Sequence, residues 1–303
     1  MAAGIGPGGS AAAAPAWLKA APVLFLLLWS GGFAFAKIGL EHAPPMTFLA
    51  LRYWFALMML LVVLIGLRPP VPRRAADWGH LMAVGILVQG LYFGLSYFSF
   101  WFGLSAGTMA LIVSMQPILV GLLAPQLVAE RVGVARWAGL VLGLLGAAMV
   151  IMARSEIEVT SGYGLLCAAG ALIAMTAGTL YEKRFGLHHH PVTASTVQYL
   201  VGFLVVLPLA LSVERMEVNW TAEFAVALAY LVIGNSLIAV TLLLAMIRHG
   251  EAAKVSALLF MVPPMAALIA WGLIGEAMPP AAWAGMAVAA AGVALATRSF
   301  KVR

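Results

Sequence analysis

The chain has 303 residues, 64% of them hydrophobic and only 9% charged, with a mean hydropathy of +1.03. Soluble domains carry about 25% charged residues, so a water-soluble globule is excluded and a bilayer is the expected solvent. The net charge of +6 is scattered through short connections and not gathered on one element, which argues for membrane topology and against a nucleic-acid partner.

The chain opens with a small-residue, Gly/Pro-rich stretch, residues 1–17, that predicts disorder. Ten apolar segments follow, predicting helices over 18–38, 45–67, 80–101, 104–125, 134–153, 160–182, 191–213, 223–247, 251–274 and 279–298, with a short tail at 299–303. Each is close to the roughly 20 residues that a spanning helix requires. The run Leu81–Ala129 contains no Asp, Glu, Lys, Arg or His. Continuity and the lack of period-two alternation favour helices over a barrel. "AFA" at Ala34–Ala36 resembles a signal cleavage site, but only Lys19 precedes the first apolar run and nine more follow, so that segment reads as a retained helix.

With the N-terminus in the cytoplasm, that side holds Lys19, Arg68, Arg73, Arg74, Arg131, Arg136, Lys183, Arg184, Arg248, Lys254, Arg298, Lys301 and Arg303. The other side holds only Lys37, Arg154 and Arg215, with Arg52 inside helix 2. A 13-to-3 split places both termini in the cytoplasm, the chain lying in the cell's inner membrane.

Shifting the sequence by 146 lays Pro117 on Pro263, Glu130 on Glu276, Trp137-Ala138-Gly139 on Trp283-Ala284-Gly285, and Gly146 on Gly292. A shift of 147 lays "GLEHAP" (Gly39–Pro44) on "GLHHHP" (Gly186–Pro191). Helices 1–5 (18–153) therefore repeat as helices 6–10 (160–298). Five is odd, so the second copy starts on the opposite face and the fold class is an all-α membrane protein of two inverted five-helix repeats. Inverted repeats mark alternating-access transporters, whose sites lie at the repeat interface beside Gly/Pro-interrupted helices. Pro117 and Pro263-Pro264 form such a pair and are expected to kink helices 4 and 9 for gating; a packing kink is the plainer alternative.

"WSGGFAFAKIGLEHAPPMTFLALRYW" (Trp29–Trp54) resembles the first-helix pattern of the EamA-type drug/metabolite transporter superfamily. "AGTMALIVSMQP…LVAERVGVARWAGLVLGLLGAAMV" (Ala106–Val150) resembles its second block, which recurs as "AAKVSALLFMVPP…LIGEAMPPAAWAGMAVAAAGVALA". The resemblance implies an exporter of small organic metabolites, closest to the amino-acid exporters, including those for aromatic amino acids. Trp29 and Arg52 are not duplicated: their second-half positions are Thr176 and Tyr199.

In helix 3, Gln89, Tyr92, Phe93, Ser96, Tyr97 and Phe100 share one face at helical spacing. Rings mixed with a few hydrogen-bonding groups suit an organic solute, although a packing face has the same spacing. Gln89 plus 146 is Asn235, so two amides sit at related positions in helices 3 and 8, either binding a polar head or bonding between helices. Asn235-Ser236, and Ser114 with Gln116 beside Pro117, extend the expected lining. Trp29 and Trp101 are candidate cavity walls, Trp101 equally an interfacial anchor. Lys37 and Arg52 are candidate structural or gating charges. The expectation is a largely uncharged central cavity lined by helices 1, 3, 4, 6, 8 and 9.

None of the eleven acids falls at a helix centre, and Glu182 near the end of helix 6 is the sole remote relay candidate. Facilitative transport is therefore expected, with no catalytic group, no cofactor and no metal; His188-His189-His190 reads as a polar loop. Expected partners are bilayer lipid and a small organic substrate. Gly139 and Gly143 form a Gly-x-x-x-Gly pair that seats either helix 10 or a second subunit, so a monomer or weak homodimer is expected.

Overall fold

The computed structural model describes residues 20–104, 106–128, 132–154, 162–185, 189–249, 252–274 and 278–297. The segment 1–17 and the tail 299–303 lie outside them. Eight helices are long and apolar enough to cross a bilayer unaided. They are α1 (Ala21–Leu40), α2 (Pro45–Leu67), α3 (Ala75–Trp101), α5 (Val134–Arg154), α6 (Gly162–Phe185), α7 (Pro191–Val213), α8 (Ala222–His249) and α10 (Pro280–Thr297). The remaining two are broken. Helix α4 runs as Ala106–Val113 and Gln116–Leu127, and α9 as Ala252–Ala257, a tight turn Leu258–Met261, and Val262–Ile274. Large apolar side chains such as Val62, Ile65, Leu166, Ile173, Leu204 and Leu211 stand outward and exposed, a surface that only lipid accommodates.

The breaks accommodate Pro117 and Pro263-Pro264, whereas Pro125 and Pro208 lie inside continuous helix. Helix α4 stops at Ser114-Met115 and restarts with Pro117 in its first turn, where the missing N–H costs nothing. In α9 the backbone tightens just before Pro263-Pro264, so the two breaks fall at related positions. Pro45 and Pro191, also 146 apart, occupy the first turns of α2 and α7.

Helices come together as an inverted pair. Helix α2 packs on α7 and α5 on α10, each with its own counterpart. Other contacts exchange between copies: α3 lies on α6 and α7 as α8 lies on α1 and α2, and α4 on α6 as α9 on α1. Gly139, Gly143 and Gly146 of α5 face Gly285, Ala289, Gly292 and Ala296 of α10, backbone against backbone. The Gly-x-x-x-Gly pair thus seats helix 10 of the same chain.

The ends of α2 and α7 are tied across the repeats. At one face the Glu214 carboxylate, just past α7, accepts from Met46 N (2.8 Å), Thr47 N (2.7 Å) and Thr47 Oγ1 (2.7 Å), so one repeat caps the first turn of the other. The Asn219 N–H donates to the His42 carbonyl close by (2.9 Å). At the opposite face Thr193, which is Thr47 plus 146, donates from Oγ1 to Pro70 O at 3.1 Å. Glu214→Ala orphans the donors at one helix start, and charge-assisted bonds are worth about 1.5–3 kcal/mol. The variant is expected to melt several degrees below wild type in detergent while still inserting.

A basic chamber at the seam of the two repeats

Helices α3 and α8 each change winding at their centres. Gly85–Tyr92 and Leu231–Ala239 are π-helical, and 85 plus 146 is 231. Such a turn leaves backbone groups out of the regular ladder and is common at functional sites. Two tyrosines, themselves 146 apart, take up the carbonyls; the counterpart of Arg52 is therefore Gln198, and not Tyr199 as the shift of 147 implied. Tyr53 Oη donates to Gln89 O at 2.7 Å, and Tyr199 Oη to Ser236 O at 3.0 Å. Their rings meet edge to face at 5.4 Å, so the pair marks the pseudo-twofold axis.

Arg52 lies beside this pair, two turns into α2 and 1% exposed. Its Nε donates to Ser236 Oγ (2.8 Å), one terminal nitrogen to Asn235 Oδ1 (2.6 Å) and the other to Tyr97 Oη (3.4 Å). The guanidinium carbon stands 4.4 Å from the centre of the Phe93 ring. A cation at the middle of a spanning helix costs about 2.5–3.5 kcal/mol even on insertion scales. Three neutral acceptors and an aromatic face offset part of that cost. Two of those acceptors come from the other repeat.

This group opens into a chamber lined by Trp29, Gly32 and Ala36 of α1, Arg52, the Tyr92, Phe93, Ser96, Tyr97 and Phe100 stripe of α3, and Leu231 and Asn235 of α8. It encloses about 380 Å³ between atoms, its open mouth included, but the free room at its centre is water-sized, so a metabolite requires it to widen. Gly32 gives Asn235 its place, since a side chain there would strike the amide. Across Trp29 lies a second chamber of about 350 Å³ between atoms, its open mouth included and its free room again water-sized, lined by Val84 and Val88 of α3, Met175, Gly178, Thr179 and Glu182 of α6, Gln198 of α7, and Val240, Leu243 and Leu244 of α8. Among the described residues Trp29 alone lines both. Glu182, 1% exposed, accepts a long hydrogen bond from Gln198 Nε2 at 3.4 Å.

Several expectations need correction. The cavity is not largely uncharged, because Arg52 is part of its wall and bonds side chains of α3 and α8. Gln89 falls off the stripe: the wider π turn rotates it toward α7, where its Cβ lies against Gly202 and neither amide atom finds a partner. Trp101 ends α3 at 60% exposure, facing outward. Lys37 is also exposed, in the last turn of α1, where it complements the helix dipole. Ser236 holds Arg52 from behind and lines neither chamber.

No described residue of helices 4 and 9 lines either chamber, so Ser114, Gln116, Pro117, Pro263 and Pro264 stand apart from them. Gln116 instead ties the breaks together, donating to Thr179 Oγ1 (3.2 Å) and Ser256 Oγ (3.4 Å). Sequence reasoning did not single out Tyr53, Tyr199 or Gln198 as site residues.

Ten helices in two inverted copies, with a polar chamber at their seam, define a multi-pass membrane transporter. The chain belongs to the EamA-like transporter family, whose pattern matches twice, at residues 18–152 and 162–298. It is similar to "Uncharacterized transporter YvbV" of Bacillus subtilis, 25% identical over 78% of this chain and 77% of that one. It is similar also to "Probable amino-acid metabolite efflux pump" of Salmonella typhimurium, 22% identical over 93% and 95%. A solved crystal structure, 18% identical, superposes with a TM-score of 0.79 over 94% of this chain and 98% of that one, and shows the same fold.

Proposed function

We propose that the chain exports small, partly apolar organic metabolites from the cytoplasm, foremost amino acids with aromatic or apolar side chains. The two repeats alternate about the seam, opening the Arg52 chamber to the outside and the Glu182 chamber to the cytoplasm. The observation that carries this reading is the seam chamber itself: five aromatic side chains from two helices around a single buried cation and one amide. The efflux name of the Salmonella relative supports the direction, and the 13-to-3 basic asymmetry supports cytoplasmic termini in an inner membrane. Transport is facilitative in this reading: a proton relay uses chains of buried acids or histidines, and Glu182 is the one buried acid among the described residues. The glycine stripe of α5 is occupied by α10, which supports a monomer.

Counter-flow of radiolabelled phenylalanine, methionine and threonine into liposomes holding the purified chain tests the substrate class. Saturable exchange that is indifferent to an imposed pH gradient is expected. Exchange of a phosphosugar alone would replace the amino-acid reading, and exchange driven by the gradient would replace the facilitative one.

A further inference from the structure

We infer that the seam chamber reads its ligand through a carboxylate on Arg52 and does not read an ammonium group. The favoured ligand class is therefore an aromatic or apolar monocarboxylate, with or without an α-amino group; this rests on the transporter reading above. The guanidinium is buried, yet its partners among the described residues are neutral: Ser236, Asn235, Tyr97, the neighbouring Tyr199 and the ring of Phe93. Among the described residues no acid stands within ion-pair distance of it. Buried charges are normally paired, so the missing partner is an anion that the protein does not itself supply.

Donor geometry points the same way. An arginine has five N–H donors, and three are engaged. Each terminal nitrogen has a second hydrogen beyond these bonds, and two such hydrogens suit a carboxylate bound in bidentate fashion. Among the described residues the chamber wall holds no Asp or Glu, and Arg52 repels a second cation. The nearest ring face, Phe93, already carries the guanidinium. An ammonium finds no counter-charge in this chamber, since Glu182 lies across Trp29 in the other. One cation balances one negative charge, which disfavours phosphate esters carrying two. The remaining rings (Trp29, Tyr92, Tyr97 and Phe100) are left for the ligand's apolar body.

A ligand series with a common phenyl group separates the charges: phenylalanine, 3-phenylpropionate and phenethylamine, each tested for thermal stabilisation of the purified full chain at fixed ionic strength. Phenylpropionate is expected to stabilise at least as well as phenylalanine, and phenethylamine not at all. Arg52→Gln, checked for monodispersity, is expected to weaken phenylpropionate binding tenfold or more, with Arg52→Lys retaining part of it. Stabilisation by phenylalanine alone, or by phenethylamine as strongly as by phenylpropionate, would overturn the inference while leaving the transporter reading intact. Equal stabilisation by chloride would assign Arg52 an inorganic counter-ion instead, and no stabilisation by any member would also overturn it. Stabilisation by phenylpropionate without counter-flow of any solute would uphold the site and refute the transporter reading. The wild-type series decides even if the Arg52 variants do not fold.

Discussion

Gly146→Leu is expected to abolish recovery of folded protein, because it drives a side chain into backbone. Helices α5 and α10 touch along Gly139, Gly143 and Gly146 on one side and Gly285, Ala289, Gly292 and Ala296 on the other. A Cβ built on Gly146 falls 2.6 Å from Ala289 Cα and 2.7 Å from Gly285 O. Neither atom can swing aside as a side-chain tip does, so the helices must part along their length. Overpacking a core ordinarily costs about 1–3 kcal/mol; here leucine adds the loss of the close contacts that hold small-residue helix pairs together in lipid. Gly66→Leu is the control, since nothing lies within 4 Å of its Cβ position on α2. Size-exclusion profiles in detergent read the outcome. A monodisperse Gly146→Leu would mean that the α5–α10 seam is looser than its glycines indicate.

The same arithmetic that exposed the repeat in the sequence explains which parts of the site were legible. Proline and glycine announce themselves, so the breaks in α4 and α9 and the α5–α10 stripe could be anticipated from Pro117, Pro263 and Gly139. Two π-helical turns without a proline could not, because the tyrosines that donate to their displaced carbonyls come from other helices. A signal existed: 53 plus 146 is 199, and tyrosine occupies both positions. Gln89 was misplaced for the same reason, since periodicity was carried through a segment whose winding changes. Arg52 meets Asn235 and Ser236 from 183 and 184 residues away, a contact between repeats that no local spacing encodes. Trp101, a candidate wall or equally an interfacial anchor by sequence, stands outward as the anchor does.

Trp29→Ala is expected to turn an exchanger into a leak. Trp29 sits near the middle of α1, 3% exposed, with its ring 5.2 Å from Phe25 and 6.1 Å from Phe93. Among the described residues it is the one common to the walls of both chambers. Removing the indole takes away the one side chain that stands between the two spaces and adds its own volume to their water-sized free room. Truncating a buried tryptophan costs about 3–5 kcal/mol of stability, so the variant is compared with wild type only where both are monodisperse. Glycerol permeability of proteoliposomes, followed by stopped-flow light scattering, should rise roughly tenfold, equivalent to about 1.4 kcal/mol off the permeation barrier. Saturable counter-flow should fall as the leak grows, because a solute that passes without the repeats moving no longer exchanges one for one. Trp29→Phe retains a ring at the partition and should leave both nearly unchanged. Wild-type glycerol permeability in Trp29→Ala would place the barrier between the chambers elsewhere, in the packing of α3 against α6 and α7.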